Sequence, residues 1–295
     1  MSGPYPTSSW CHVRGERPTL TSLTTVVHDG SEQTGLRLRT IPGVLDNGFD
    51  VPKSRPDITL PVVVVLVLPL AAARLVSRMW MTGSATEGSV LEFGSEQPNL
   101  VEAAVVDAVL SSFSATLVAA ALTPLLLGCL PAGRGATWLL RRLLRRSPAL
   151  VAGWILVKAM QAIGLIFFVV GSVAVMVFTS LVAPSIGDRT VNPIRAIGRS
   201  FRLVGKNFGR AVAVIVLMVV VDGGLRFALL VVPVAVVSLT GWWPGPAVLA
   251  AAQVLVDLVS AGFVGIATAS LYVDLSMRSE QRDLEERFRQ VGLEW

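Results

Sequence analysis

Over residues 211–239 the chain carries only two charged side chains, Asp222 and Arg226. That run exceeds the roughly 20 apolar residues that one membrane crossing needs. Comparable runs recur at 58–76, 101–130, 150–183 and 247–275. Lipid offers backbone N–H and C=O groups no partners, so such runs must close their hydrogen bonds internally as helices. They restrict the chain to an all-α fold, a polytopic membrane helix bundle. Composition agrees, with 53% hydrophobic and 15% charged residues and a mean hydropathy of +0.65. A soluble domain is nearer a quarter charged.

The run at 150–183 is too long for one crossing and short for two. Charge decides between them. Arg134, Arg141, Arg142, Arg145 and Arg146 precede it, and Arg189, Arg195, Arg199, Arg202, Lys206 and Arg210 follow it. Basic residues favour the cytoplasmic side of a membrane. The run should therefore cross twice, as spans 150–165 and 168–184. One long tilted helix, the alternative, would put a basic cluster outside. About six transmembrane helices result, at 58–76, 101–130, 150–165, 168–184, 211–239 and 247–275, forming a membrane domain over 58–275. Two more basic clusters lie before residue 58 and after residue 277. Only Arg74, Arg78, Lys158 and Arg226 fall outside the four clusters. Both termini are expected in the cytoplasm. Arg74 is expected to extend its head group to the interface, and Lys158 to do likewise from two turns inside its span.

Three peripheral segments are amphipathic. At 192–210, Asn192 suits an N-cap and Pro193 the first helical turn. Ile194, Ile197, Phe201 and Val204 share one face, while Arg195, Arg199, Arg202 and Lys206 share another. At 131–148, Arg141, Arg142, Arg145 and Arg146 alternate in pairs with Leu139, Leu140, Leu143 and Leu144. Basic amphipathic helices beside membrane spans contact anionic lipid. These eight cations are the expected inner-leaflet lipid contacts. Nucleic acid is not expected, because the segments are short and pinned between spans. Protein partners or a homo-oligomer are. At 36–57, Ile41, Val44, Leu45 and Phe49 form the apolar stripe of an interfacial helix. The polar segment 1–35 reads as a disordered cytoplasmic tail, and 276–295 as a cytoplasmic C-terminal helix.

The charges inside the spans are the candidate site. Asp222 and Arg226 are four residues apart and share a helix face. A tight Gly/Pro/Trp turn joins the last two spans, which makes them antiparallel neighbours. Asp222, Arg226, Gln253 and Asp257 can then form one intramembrane polar cluster, with Arg226 satisfying both carboxylates. Such a cluster is either an ion or substrate relay or a structural pair that sets helix register. Below it, Ala261, Gly265 and Ala269 step by four and define a helix-packing face. No Ser/His/Asp or Cys/His constellation can be assembled, and no metal-ligand spacing exists. His12 and His28 both lie in the N-terminal tail. No catalytic residues, metal or cofactor are expected, and the chain reads as a non-enzyme.

Three stretches together resemble a known family. They are LRTIPGVLDNGF at 38–49, the basic helix at 193–208 with Pro193, Ala196, Ser200, Phe201, Leu203 and Phe208, and LYVDLSMRSEQRDL at 271–284. The sequence is similar there to the actinobacterial integral membrane proteins known as the glycerophosphoryl diester phosphodiesterase membrane domain family, most of unassigned function. Gly43 stands where that family usually has Glu, and the prolines at 52 and 56 replace a basic helix end. The phosphodiesterase name belongs to proteins carrying an additional catalytic barrel, which no stretch here provides. The resemblance implies fold and topology and argues against inheriting the enzyme activity; the chain itself reads as a bacterial plasma-membrane protein with an accessory or scaffold role in the cell envelope. The alternative is a small transporter or lipid-handling protein that uses the Asp/Arg cluster.

Overall fold

A computed structural model describes residues 41–82, 100–130, 134–166, 168–188, 192–231 and 246–290. The tail at 1–35 and the turn between the last two spans lie outside the described residues. Nine α-helices are described: α1 Ile41–Ser54, α2 Pro56–Thr82, α3 Leu100–Leu126, α4 Ala136–Ile166, α5 Phe168–Thr179, α6 Val182–Asp188, α7 Pro193–Lys206, α8 Phe208–Arg226 and α9 Pro246–Gln290. A π-helical turn, Phe227–Val231, extends α8. No strand occurs among the described residues.

Five helices are long and apolar enough to cross a membrane: Pro56–Ser77, Val105–Leu126, Ala136–Gly164, Phe208–Leu229 and Ala250–Ser279. The protein is an all-α polytopic helix bundle. The chain folds back after α4, so that a Cβ built on Gly164 would lie 3.2 Å from the Gly171 carbonyl oxygen. Near the other end of the same arm, a Cβ on Gly153 would meet the Ile186 side chain. The returning arm is the pair α5 and α6, whose break at Ser180 and Leu181 keeps it from forming one long helix. Pro148 sits inside α4. The arginine-rich turn is therefore continuous with the membrane helix rather than a separate loop.

The last helix is the axis of the bundle, with 72% of its apolar window buried. It packs on α3, α1, α2 and α8. The small-residue face makes the α3 contact possible. Ala261, Gly265 and Ala269 are all buried, and a Cβ on Gly265 would stand 2.6 Å from a Val118 methyl and 3.0 Å from the Ala119 nitrogen. Small residues let backbones approach closely where lipid supplies no hydrophobic drive between helices.

Two peripheral helices form a collar at the arginine-rich end. In α1, Val44 and Leu45 are buried, and the Phe49 ring lies 4.8 Å from that of Phe263 on α9. In α7, Asn192 caps the helix through its side-chain oxygen, which accepts from the Ile194 N–H at 3.0 Å. The face of α7 that packs inward coincides only in part with the apolar stripe read from the sequence. Ala196, Ser200, Leu203 and Val204 are buried, Ile197 packs partly buried against the core, and the Phe201 ring stacks on Phe178 at 5.0 Å, whereas Ile194 is 71% exposed. In water the bulky apolar face would turn inward. Next to lipid the small face seeks protein and the large one seeks acyl chains.

Candidate functional site

The intramembrane charges are held by four helices and fall into two linked layers. In the first, Arg74 of α2 reaches between α3 and α9. Its Nε and Nη2 donate to the two Asp107 oxygens at 2.7 and 2.5 Å, and its Nη1 lies 2.6 Å from Asp257 Oδ1. A guanidinium fork of this kind matches a carboxylate in plane and is the stronger class of charged hydrogen bond. Gln253 Nε2, one turn earlier on α9, is 3.4 Å from the same Asp257 oxygen. Arg74 and Asp257 are almost wholly buried, at 5% and 3% exposure.

The second layer lies one turn along. Ser111 follows Asp107 on α3 and Ser260 follows Asp257 on α9, at helical spacing. Arg226 Nε donates to Asp222 Oδ2 at 3.0 Å, and its Nη2 donates to Ser260 Oγ at 2.6 Å and to Ser111 Oγ at 3.3 Å. Ser260 Oγ in turn donates to Asp222 Oδ1. The structure thus brings together the four residues expected from the sequence in two groups rather than one. Asp257 with Gln253 belongs to Arg74, and Asp222 belongs to Arg226.

Three participants were not anticipated from the sequence. Arg74 does not extend to the interface. Asp107 supplies its first carboxylate. Ser260 completes the second layer. One signal pointed to Arg74: it is one of the four cations that the cytoplasmic clusters leave over, and a leftover cation inside a span needs a partner. Ser260 carried no such signal.

The arginine-rich end divides its cations between protein and surface. Arg146 Nη1 donates to the carbonyls of Ile186, Gly187 and Asp188 at 2.5, 2.8 and 3.0 Å. Arg142 Nη2 donates to those of Gly187 and Asp188 at 3.3 and 2.8 Å, with its guanidinium 5.2 Å from the Trp138 ring centroid. Both satisfy carbonyls that the end of α6 leaves without helical partners. Arg199 lies 3.5 Å from Asp188 Oδ2 and over the Tyr272 ring. Arg141, Arg145, Arg195, Arg202 and Lys206 are exposed. Arg141 and Arg145 line a basic groove of about 410 Å³ with Arg134 and Trp138.

A second cavity, of about 310 Å³, lies between the α4–α6 hairpin and helices α3, α8 and α9. Its wall is mainly apolar, and Trp154, Lys158 and Gln161 contribute its polar side chains from α4. No group of three or more potential metal-ligating side chains occurs among the described residues.

The fold and this site together define an integral membrane helix bundle with a partly buried Asp/Arg lattice. No protein-family model matches the chain, and no curated protein or solved structure does either.

Proposed function

We propose that this chain is a non-enzymatic membrane protein of the bacterial cell envelope. It acts as an accessory or scaffold component, with both termini in the cytoplasm, and binds anionic inner-leaflet lipid and protein partners. The observation that carries this reading is how the intramembrane charges are satisfied. Arg74 is held by two carboxylates, and Arg226 by one carboxylate and two hydroxyls. A lattice that closes on itself fixes helix register and resists the rearrangement that a transport relay needs. The exposed cations Arg141, Arg145, Arg195, Arg202 and Lys206 support contact with an anionic leaflet, each adding about 1 kcal/mol near such a surface. The segregation of basic residues to one end supports the cytoplasmic orientation. The likeness of the three stretches to the glycerophosphoryl diester phosphodiesterase membrane domain family supports the membrane topology of this reading.

Purification in a mild nonionic detergent followed by protein and lipid mass spectrometry tests the reading. A stable co-purifying protein or an enriched anionic phospholipid is the expected outcome, and recovery of neither sinks it. Asp257→Asn separates the transporter alternative. A variant that folds normally yet abolishes an ion or solute flux in proteoliposomes would replace the scaffold reading.

A further inference from the structure

Of the four cations outside the cytoplasmic clusters, Arg74 and Arg226 are paired with carboxylates. Lys158 is not. Its Nζ donates to Gln161 Oε1 at 3.1 Å and lies 5.9 Å from the Trp154 ring centroid, and none of the described carboxylates forms an ion pair with it. Beside it, the Trp154 indole Nε1 is buried without a hydrogen-bond partner. The ring cannot readily turn that donor elsewhere, because Phe113 packs edge-on against it at 5.2 Å. A buried unpartnered N–H and a cation without an anion each carry a desolvation cost that a ligand can relieve.

Lys158 and Trp154 both line the 310 Å³ cavity, whose volume is at the low end for small-molecule sites. The hydroxyls there are already engaged by their own helices: Ser112 donates to the Val109 carbonyl, Thr116 to Ser112, Thr179 to Val175, Ser180 to Val177 and Thr268 to Val264. The remaining wall is apolar, with Leu150, Val182, Ile186, Ile215, Met218 and Val264. The chemistry left open is therefore two adjacent donors, one charged, at the side of a hydrocarbon slot.

We propose that this cavity binds a single-chain anionic amphiphile of the fatty-acid class. Its carboxylate accepts from Lys158 Nζ and Trp154 Nε1, and its alkyl chain lies along the apolar wall. Lys158 Nζ lies over the Trp154 ring, 5.9 Å from its centroid, so the cation and the indole border the same part of the cavity. The cavity volume suits one chain rather than the two of a phospholipid, and Lys158 stands two turns before the end of α4. The inference stands independently of the scaffold reading, since neither the Asp/Arg lattice nor a protein partner takes part in it.

The test is equilibrium binding of radiolabelled palmitate to the full chain in phosphatidylcholine nanodiscs, with hexadecanol as the uncharged comparator. One saturable palmitate site per chain is expected, with hexadecanol weaker by about tenfold or more, as loss of a charged hydrogen bond implies. Lys158→Met should lose about the same factor, Lys158→Arg should retain binding, and Trp154→Phe should lose a smaller factor. Equal affinity for palmitate and hexadecanol in the unaltered protein would overturn the proposal, as would no saturable site. The ligand comparison needs no variant, so a failure of Lys158→Met to fold leaves the test intact. A pull-down that recovers no partner would count against the scaffold and leave this result untouched.

Discussion

Arg74 and Asp257 meet at 2.6 Å between α2 and α9, while the same guanidinium grips Asp107 of α3. One arginine therefore ties three helices together. Removing it leaves the buried Asp257 without its cation and takes one from the partly buried Asp107. Breaking a buried pair by removing one partner costs about 3–5 kcal/mol. Arg74→Met should show that loss in thermal or SDS unfolding of the detergent-solubilised protein. The triple variant Arg74→Met, Asp107→Asn, Asp257→Asn should recover much of it, because no charge is left unpaired. Equal instability of the single and triple variants would show that the ion pairs are not what Arg74 supplies.

This lattice marks the boundary of what was legible in the sequence. Helix class followed from the apolar runs, because lipid leaves the backbone no other choice. The reversal near residue 167 was legible from charge alone, through the arginines on both sides of 150–183. Pairing was not. Asp222 and Arg226 share a helix, so spacing identifies them. Arg74, Asp107 and Asp257 sit on three helices, and only packing selects one partner for Asp257 over another. The packing of α7 was legible only in part, for a related reason. Periodicity locates Ile194, Ile197, Phe201 and Val204 on one stripe but cannot say whether that stripe meets protein or lipid. The buried Ala196 and Ser200 show that small residues mark the protein side.

Glycines give a graded test of how closely the helices pack. A Cβ on Gly187 would run into the Ala120 backbone of α3, and one on Gly265 would meet Val118 and Ala119, whereas Gly198 has nothing within 4 Å. Overpacking costs about 1–3 kcal/mol, and more where backbone cannot yield. An exposed helical Gly→Ala gains about 0.5–1 kcal/mol. Thermal unfolding should therefore rank Gly187→Ala lowest, Gly265→Ala next and Gly198→Ala at or above the unaltered protein. A destabilised Gly198→Ala would mean that this face is covered in the membrane.

Adjacent arginines on α4 should separate stability from lipid contact. Arg146 holds three carbonyls at the end of α6, while Arg145 is exposed. Arg146→Ala should lower stability by about 1–3 kcal/mol, the cost of leaving buried acceptors unmade. Arg145→Ala should leave unfolding unchanged and reduce the anionic phospholipid that co-purifies, measured by lipid mass spectrometry. The reverse pattern would assign the lipid contact to the inward-facing cation.

The closing Tyr-Val-Asp-Leu stretch of α9 should prove structural. Tyr272 is fully buried and its hydroxyl donates to Asp188 Oδ2 at 2.8 Å, which also lies 3.5 Å from Arg199. Asp274 Oδ2 receives Arg210 Nε at 2.9 Å and Arg278 Nε at 3.1 Å. These bonds fasten the last helix to α6, to α7 and to the first turn of α8. Tyr272→Phe removes one hydrogen bond to a charged group, about 1.5–3 kcal/mol. Asp274→Asn leaves two arginines without their shared anion. Because both are partly exposed, the loss should sit near the low end for a broken buried pair, about 3 kcal/mol. Both variants should unfold earlier in detergent while still binding palmitate at the Lys158 cavity below their transition temperatures. Loss of palmitate binding in a folded Tyr272→Phe protein would show that the collar and the cavity are coupled rather than independent parts of the bundle.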